Sequence, residues 1–185
     1  MIYKDTKLRS KSPFYKAIDN QSIWAVELFC DHGADLESIN CESTKSPLIY
    51  AAENNLDEMC MYLSLRTKNV DLEDNDGNNI FNMYLIKEDK QRCMQLLMRN
   101  ANINYVNKLG KTPLHIAIEH QLNKGIIKFL LQAGASPYIK DNEGKDSCDK
   151  VRELKDKYTT KDSPIFRVFW EKEIRIISPK VMPEK

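Results

Sequence analysis

One six-residue pattern returns along this chain at a nearly fixed interval, and that recurrence restricts the fold more than any other feature. SPFYKA begins at Ser12, SPLIYA at Ser46, NIFNMY at Asn79, TPLHIA at Thr112 and DSCDKV at Asp146, at intervals of 34, 33, 33 and 34 residues. A period of this size marks an array of stacked repeats, each too small to bury its own apolar face. Every opening residue is Ser, Asn, Thr or Asp, whose side-chain oxygen accepts a hydrogen bond from the unpaired N–H groups of a helix's first turn. Pro13, Pro47 and Pro113 follow at the first helical position, where the missing N–H costs nothing. Five helix starts are thereby marked.

Two residues past each cap stand Phe14, Leu48, Phe81, Leu114 and Cys148; five past it stand Ala17, Ala51, Tyr84, Ala117 and Val151. That spacing places both columns on one helix face, which is predicted to be core. A second helix is predicted in four repeats, with Val26, Cys60, Cys93 and Ile127 in one column and Phe29, Leu63, Leu96 and Leu130 three residues later. Gly33, Asn100 and Gly134 stand where a left-handed helix terminus is wanted, with Thr67 as the poor member.

The segment GKT at Gly110 ends as a phosphate-binding loop does, but such a loop needs another glycine five residues earlier, and position 105 is Tyr. LEDNDGNNIFNM places Leu72 and Met83 where a calcium loop needs carboxylates. His32, His115 and His120 complete no triad or metal spacing, so no cofactor and no metal is expected. Lys+Arg 28 against Asp+Glu 27 leaves a net charge of +1, which gives no ground for nucleic acid as a partner. No apolar run reaches the roughly 18 residues of a membrane helix, so direct membrane insertion is not expected. The five cysteines are odd in number and contain no CxxC. Reduced thiols in a cytoplasmic protein are expected from that usage.

The motifs quoted, above all GKTPLHIAIEHQLNKGIIKFLLQAGAS, resemble the ankyrin repeat family over roughly residues 2–158. The resemblance implies an all-α solenoid of helix-turn-helix repeats with projecting hairpin fingers. The expected repeats are residues 2–36, 37–70, 71–103 and 104–137, then a half-repeat at 138–158 and a tail at 159–185. It also implies a non-catalytic protein-interaction module, a scaffold or adaptor binding another protein through a concave face of fingers and first helices. His115 then sits at the family's TPLH histidine position, with a structural hydrogen-bonding role.

Counting from the caps, apolar residues break through that otherwise polar face at Tyr50, Met83, Ile86, Leu109 and Ile116, flanked by Lys111 and Glu119. Apolar anchors ringed by charge are what a binding hot spot needs. Cys60 and Cys93 share a core column and are expected to be buried hydrophobes, not a redox pair. The third repeat departs from the pattern with Ile80 for Pro and Tyr84 for Ala, so it is expected to splay or to turn the Tyr hydroxyl outward. The fourth carries one extra residue in EHQLNKG, and the finger SINCESTK is one longer than the others. The tail fits two templates, Phe166, Phe169, Trp170 and Ile177 at helical spacing or Phe166, Val168 and Trp170 then Ile174 and Ile176 alternating as strands, and is expected as a cap on the last half-repeat or a segment that docks elsewhere. Two other readings stand beside the interaction module: a regulatory or targeting part of a larger enzyme or channel, and a small hydrolase or nucleotide enzyme, for which no motif speaks.

Overall fold

The computed structural model describes residues 12–37 and 45–158, with side chains through Leu154. The expected cap at 159–185, the residues before Ser12 and most of the finger SINCESTK, Cys41 included, lie outside the described residues. Among the described residues there are nine helices: α1 Pro13–Asp19, α2 Ile23–Asp31, α3 Pro47–Glu53, α4 Asp57–Arg66, α5 Ile80–Ile86, α6 Lys90–Leu97, α7 Pro113–Glu119, α8 Lys124–Gln132 and α9 Ser147–Tyr158. They fall into two compact units that part between Asp74 and Asn75.

The cap residues do what their chemistry predicts in four repeats of five. Ser46, Asn79, Thr112 and Asp146 accept from the backbone N–H three residues on, at 3.4, 2.9, 3.4 and 2.9 Å. Ser12 makes no such bond. The first helices α1, α3, α5 and α7 are seven residues each, too short to be stable alone in water. Burial of one face holds them: Ile18, Leu48, Ala51, Phe81, Leu114 and Ala117 are all core residues. The second-helix columns are buried likewise at Val26, Cys60, Cys93, Ile127, Leu63, Leu96 and Leu130, with Phe29 half-buried.

The two helices of each repeat are joined through a residue in the left-handed region, and none of the four is glycine: Gln21, Asn55, Glu88 and Gln121, at φ 52, 56, 56 and 52°. The extra residue of the fourth repeat enters directly after this turn, so that Leu122 is buried and Asn123 becomes the cap of α8. Asn123 also donates its backbone N–H and its Nδ2 to the carboxylate of Glu88, at 2.7 and 2.6 Å. After the second helices, Gly33, Asn100 and Gly134 are left-handed as expected, while Thr67 ends α4 in an extended conformation.

Tyr84 turns inward, not outward. It is buried, with Lys87 Nζ and Arg92 Cζ lying 5.4 and 5.5 Å from its ring centroid. Cys60 and Cys93 are buried free thiols that donate to the Leu48 and Phe81 carbonyls, each twelve residues back. Burial pushes the Cys93 thiol up to about 12. These cysteines are core hydrophobes, as their shared column predicts.

Candidate interaction surface

The fingers at 107–111 and 141–145 are tight turns, each closed by one amide or acidic side chain. In the finger at 107–111, Asn107 Oδ1 accepts the N–H groups of Leu109 and Lys111 at 3.0 and 2.8 Å, and Asn107 N donates to the Lys111 carbonyl at 3.0 Å. Asp141 repeats the arrangement in the next finger, accepting from Glu143 and Lys145 at 2.9 and 3.0 Å. The two turns stack closely. Asn142 Nδ2 donates to the Lys108 carbonyl at 3.0 Å, and a Cβ on Gly110, at φ +76°, would come within 2.4 Å of Asn142 N. Gly110 is therefore a stacking residue, and GKT is a finger running into the Thr112 cap.

A second set of turns follows the second helices. Asp35, Asn69, Asn102 and Ser136 each accept from the N–H two residues on, at 2.9, 2.9, 2.9 and 3.4 Å. Neighbouring repeats are stitched from there: Glu37 accepts from Lys68 and Asn69 N–H at 3.0 Å each, and Asn104 accepts from Ser136 N–H at 2.7 Å and donates to the Gly134 carbonyl at 3.2 Å. The Asp/Asn/Ser column recurs at the repeat period and was open to sequence reading. So was Asp74/Asn107/Asp141, whose fourth-repeat member lies two residues before Leu109.

Across fingers and first helices an ion pair recurs eight residues apart. Lys45 pairs with Glu53, Lys111 with Glu119 at 2.7 Å and Lys145 with Glu153 at 2.5 Å. In the third repeat the same columns hold Asn78 and Ile86, which cannot form it. Met83 lies one turn before Ile86 on α5, and both are half-buried. Leu109, at the finger tip, is 52% exposed.

The other residues singled out by the sequence sit differently. Ile116 is only 4% exposed and is a core residue, a correction to its expected place on the surface. Lys111 and Glu119 answer each other instead of facing outward, and Glu119 also lies 3.6 Å from Lys150. Tyr50 is half-buried, its ring edge-on to Tyr15 at 5.0 Å and its hydroxyl donating to Asp19 at 2.6 Å. Lys150, which sequence reading passed over, reaches Asp141 at 3.1 Å and Glu143 at 3.0 Å. Burial alone would push the Asp141 carboxyl up, but the Lys145 N–H, the Lys150 ammonium and the Glu143 N–H outweigh it and hold the group below its ordinary range.

His115 shows why the TPLH histidine is structural. Its Nδ1 accepts from Thr112 N–H at 3.2 Å, and its Nε2 faces the Lys145 carbonyl at 3.2 Å. A carbonyl only accepts, so Nε2 carries the proton and both ring nitrogens are engaged. Among the described residues no group of His, Cys, Asp and Glu is arranged to hold a metal ion.

A family model described as ankyrin repeats, in three copies, matches residues 48–141. The chain belongs to the ankyrin-repeat family. This ankyrin-repeat chain is 34% identical over 113 residues to a probable serine/threonine-protein kinase of Dictyostelium discoideum, a match covering 58% of the chain and 11% of that protein. It is 34% identical over 82 residues to a putative ankyrin repeat protein of Borreliella burgdorferi, covering 43% of the chain and 20% of that protein. The chain thus spans a fifth or less of these two relatives. An ankyrin repeat domain from Acinetobacter baumannii shares the fold, with a TM-score of 0.63 and 20% identity over 84% of this chain and 79% of that one. Ankyrin repeats as a family are protein-interaction modules.

Proposed function

We propose that this chain is a non-catalytic scaffold or adaptor module, working in the cytoplasm, that binds a partner protein through its fingers and first helices. The observation that carries this reading is the break in the Lys/Glu pairing at the third repeat. There Asn78 and Ile86 stand where the other repeats hold the ion pair, Ile86 and Met83 one turn before it leave partly open apolar surface, and Leu109 adds an exposed aliphatic tip in the same compact unit. Desolvating an aliphatic side chain against a partner is favourable, whereas opening Lys111/Glu119 costs an existing contact. The anchors of the site are therefore Met83, Ile86 and Leu109, with Ile116, Lys111 and Glu119 as support in the same compact unit, while Tyr50 is a separate contact offered by the first unit.

A partner captured by the full chain and identified by mass spectrometry supplies the test. Leu109→Glu is expected to change stability by no more than about 0.5 kcal/mol and to weaken that partner by more than about 1 kcal/mol. Ile86→Lys should weaken it as well. Undiminished binding by both variants sinks the assignment of the face. A second reading has one observation behind it: the match to the Dictyostelium kinase covers 11% of that protein. On that reading the repeats are a targeting or regulatory part of a longer polypeptide, and the same face serves to place its chemistry. No nucleic acid and no membrane insertion enters either reading; among the described residues no helix is long and apolar enough to cross a membrane.

A further inference from the structure

The second helices carry surfaces that the proposed partner face does not use. On α2, Trp24 is 73% exposed and Leu28, one turn on, is also exposed; on α4, Leu65 is 61% exposed. The charged residues of these two helices are Glu27, Asp31, Asp57 and Glu58 against a single Arg66, which is itself held by Asp31 at 2.9 Å and Glu27 at 3.7 Å. The face is acidic and carries a tryptophan.

On α6 and α8 the sign inverts. These helices hold Lys90, Arg92, Lys124 and Lys128 and no acidic residue. Arg92 pairs with Asp89, while Lys90, Lys124 and Lys128 are exposed. Lys90 Nζ lies 5.3 Å from the Phe129 ring centroid, which joins the two helices into one surface. The exposed apolar side chains here are Met94 and Met98, the latter 80% exposed. Unbranched thioethers adapt their shape to an incoming aromatic ring and make favourable sulfur contacts with it.

We propose that the α6 and α8 face of one copy of this chain receives the α2 and α4 face of a second copy. Opposite charge on the two faces steers the encounter and fixes its register. Trp24 and Leu65 then find an apolar seat in Met94 and Met98, and a tryptophan is among the residues that most often carry an interface. The contact is heterologous, since each copy contributes a different surface. An anionic lipid surface or a nucleic acid would match the lysines but leave the acidic face with its tryptophan without a role. A second copy accounts for both.

Sedimentation velocity on the full chain tests this. Reversible self-association is expected at concentrations on the order of 100 μM, weakening as added salt shortens the screening length from about 10 Å toward 3 Å. Lys124→Glu with Lys128→Glu removes the basic face, and Trp24→Ser with Glu58→Lys removes the acidic one. Each double variant alone should associate at least tenfold more weakly than the parent. Mixed in equal amounts, the two should pair, because each keeps the face the other lost. Lys128→Gln, a milder change, should weaken association less but in the same direction, and far-UV circular dichroism checks that every variant keeps its helices. The proposal is overturned by a parent chain that stays monomeric, by association that neither double variant alters, or by variants that fail to pair on mixing. Binding of the parent to anionic vesicles without self-association would also overturn it and reassign the lysines.

Discussion

Asn82 stands three residues past its cap, in the column that holds Tyr15 in the first repeat and His115 in the fourth. Both of those side chains face the carbonyl of the lysine before the next cap: the Tyr15 hydroxyl donates to Lys45 at 2.8 Å, and His115 Nε2 to Lys145 at 3.2 Å. Asn82 is fully buried, and neither its amide nitrogen nor its amide oxygen has a hydrogen-bond partner. A buried amide left unpaired costs about 1–3 kcal/mol, and the asparagine side chain is shorter than either counterpart. Asn82→His, by reaching toward the Lys111 carbonyl, is expected to raise stability by about 1 kcal/mol, read as a higher urea midpoint with unchanged slope. A lower midpoint would mean that the imidazole finds no acceptor there.

At the scale of the element, the finger shows how one turn is built from two chemistries. Asn107 and Asp141 make the same pair of side-chain bonds to backbone N–H groups, but only Asp141 adds a charge that Lys150 answers. A carboxyl held below its ordinary value of 3.8 in the fold stabilises the folded state above that value, and the contribution is lost as pH falls through the lower, folded one. Asp141→Asn should keep the turn, as Asn107 does, and cost about 1 kcal/mol at neutral pH through the lost charge-assisted contact. Thermal melts of parent and variant should converge as the pH is taken below 3.8. A gap that stays constant with pH would assign the loss to the turn and not to the charge.

At the scale of the molecule, stability depends on how many repeats find neighbours. The first compact unit holds the helices α1 to α4, two repeats, while the second holds α5 to α9, two repeats and the half-repeat helix α9. Stacked repeats bury a continuous core only when about three are present. Residues 75–185 alone are therefore expected to melt cooperatively by circular dichroism, and residues 1–74 alone to lack a cooperative transition. A sharp melt of the shorter fragment would show that α1 to α4 are sufficient by themselves, with the aromatic contacts of Tyr15, Tyr50, Phe14 and Phe29 compensating for the missing third repeat.

The helices and their order were legible because each boundary is written locally, in a cap residue and often a proline, and because a period near 33 residues leaves few alternatives. The core columns were legible for the same reason, since helical spacing assigns a face. Exposure on the opposite face was not. Ile116 and Met83 are both aliphatic and both stand four residues past their caps, yet Ile116 is buried and Met83 is half-open. What covers a side chain there belongs to neighbouring helices, which a count along one helix does not contain. Pairing escaped for a like reason: Lys111 and Glu119 read as separate surface charges until the finger folds back on its helix, and Lys150 gains its meaning only when the last finger brings Asp141 and Glu143 to it. By itself the sequence determined the repeat, its helices, its caps and its family. The tertiary structure alone decided which apolar and charged groups remain open, because solvent access is set by packing between repeats and not within them.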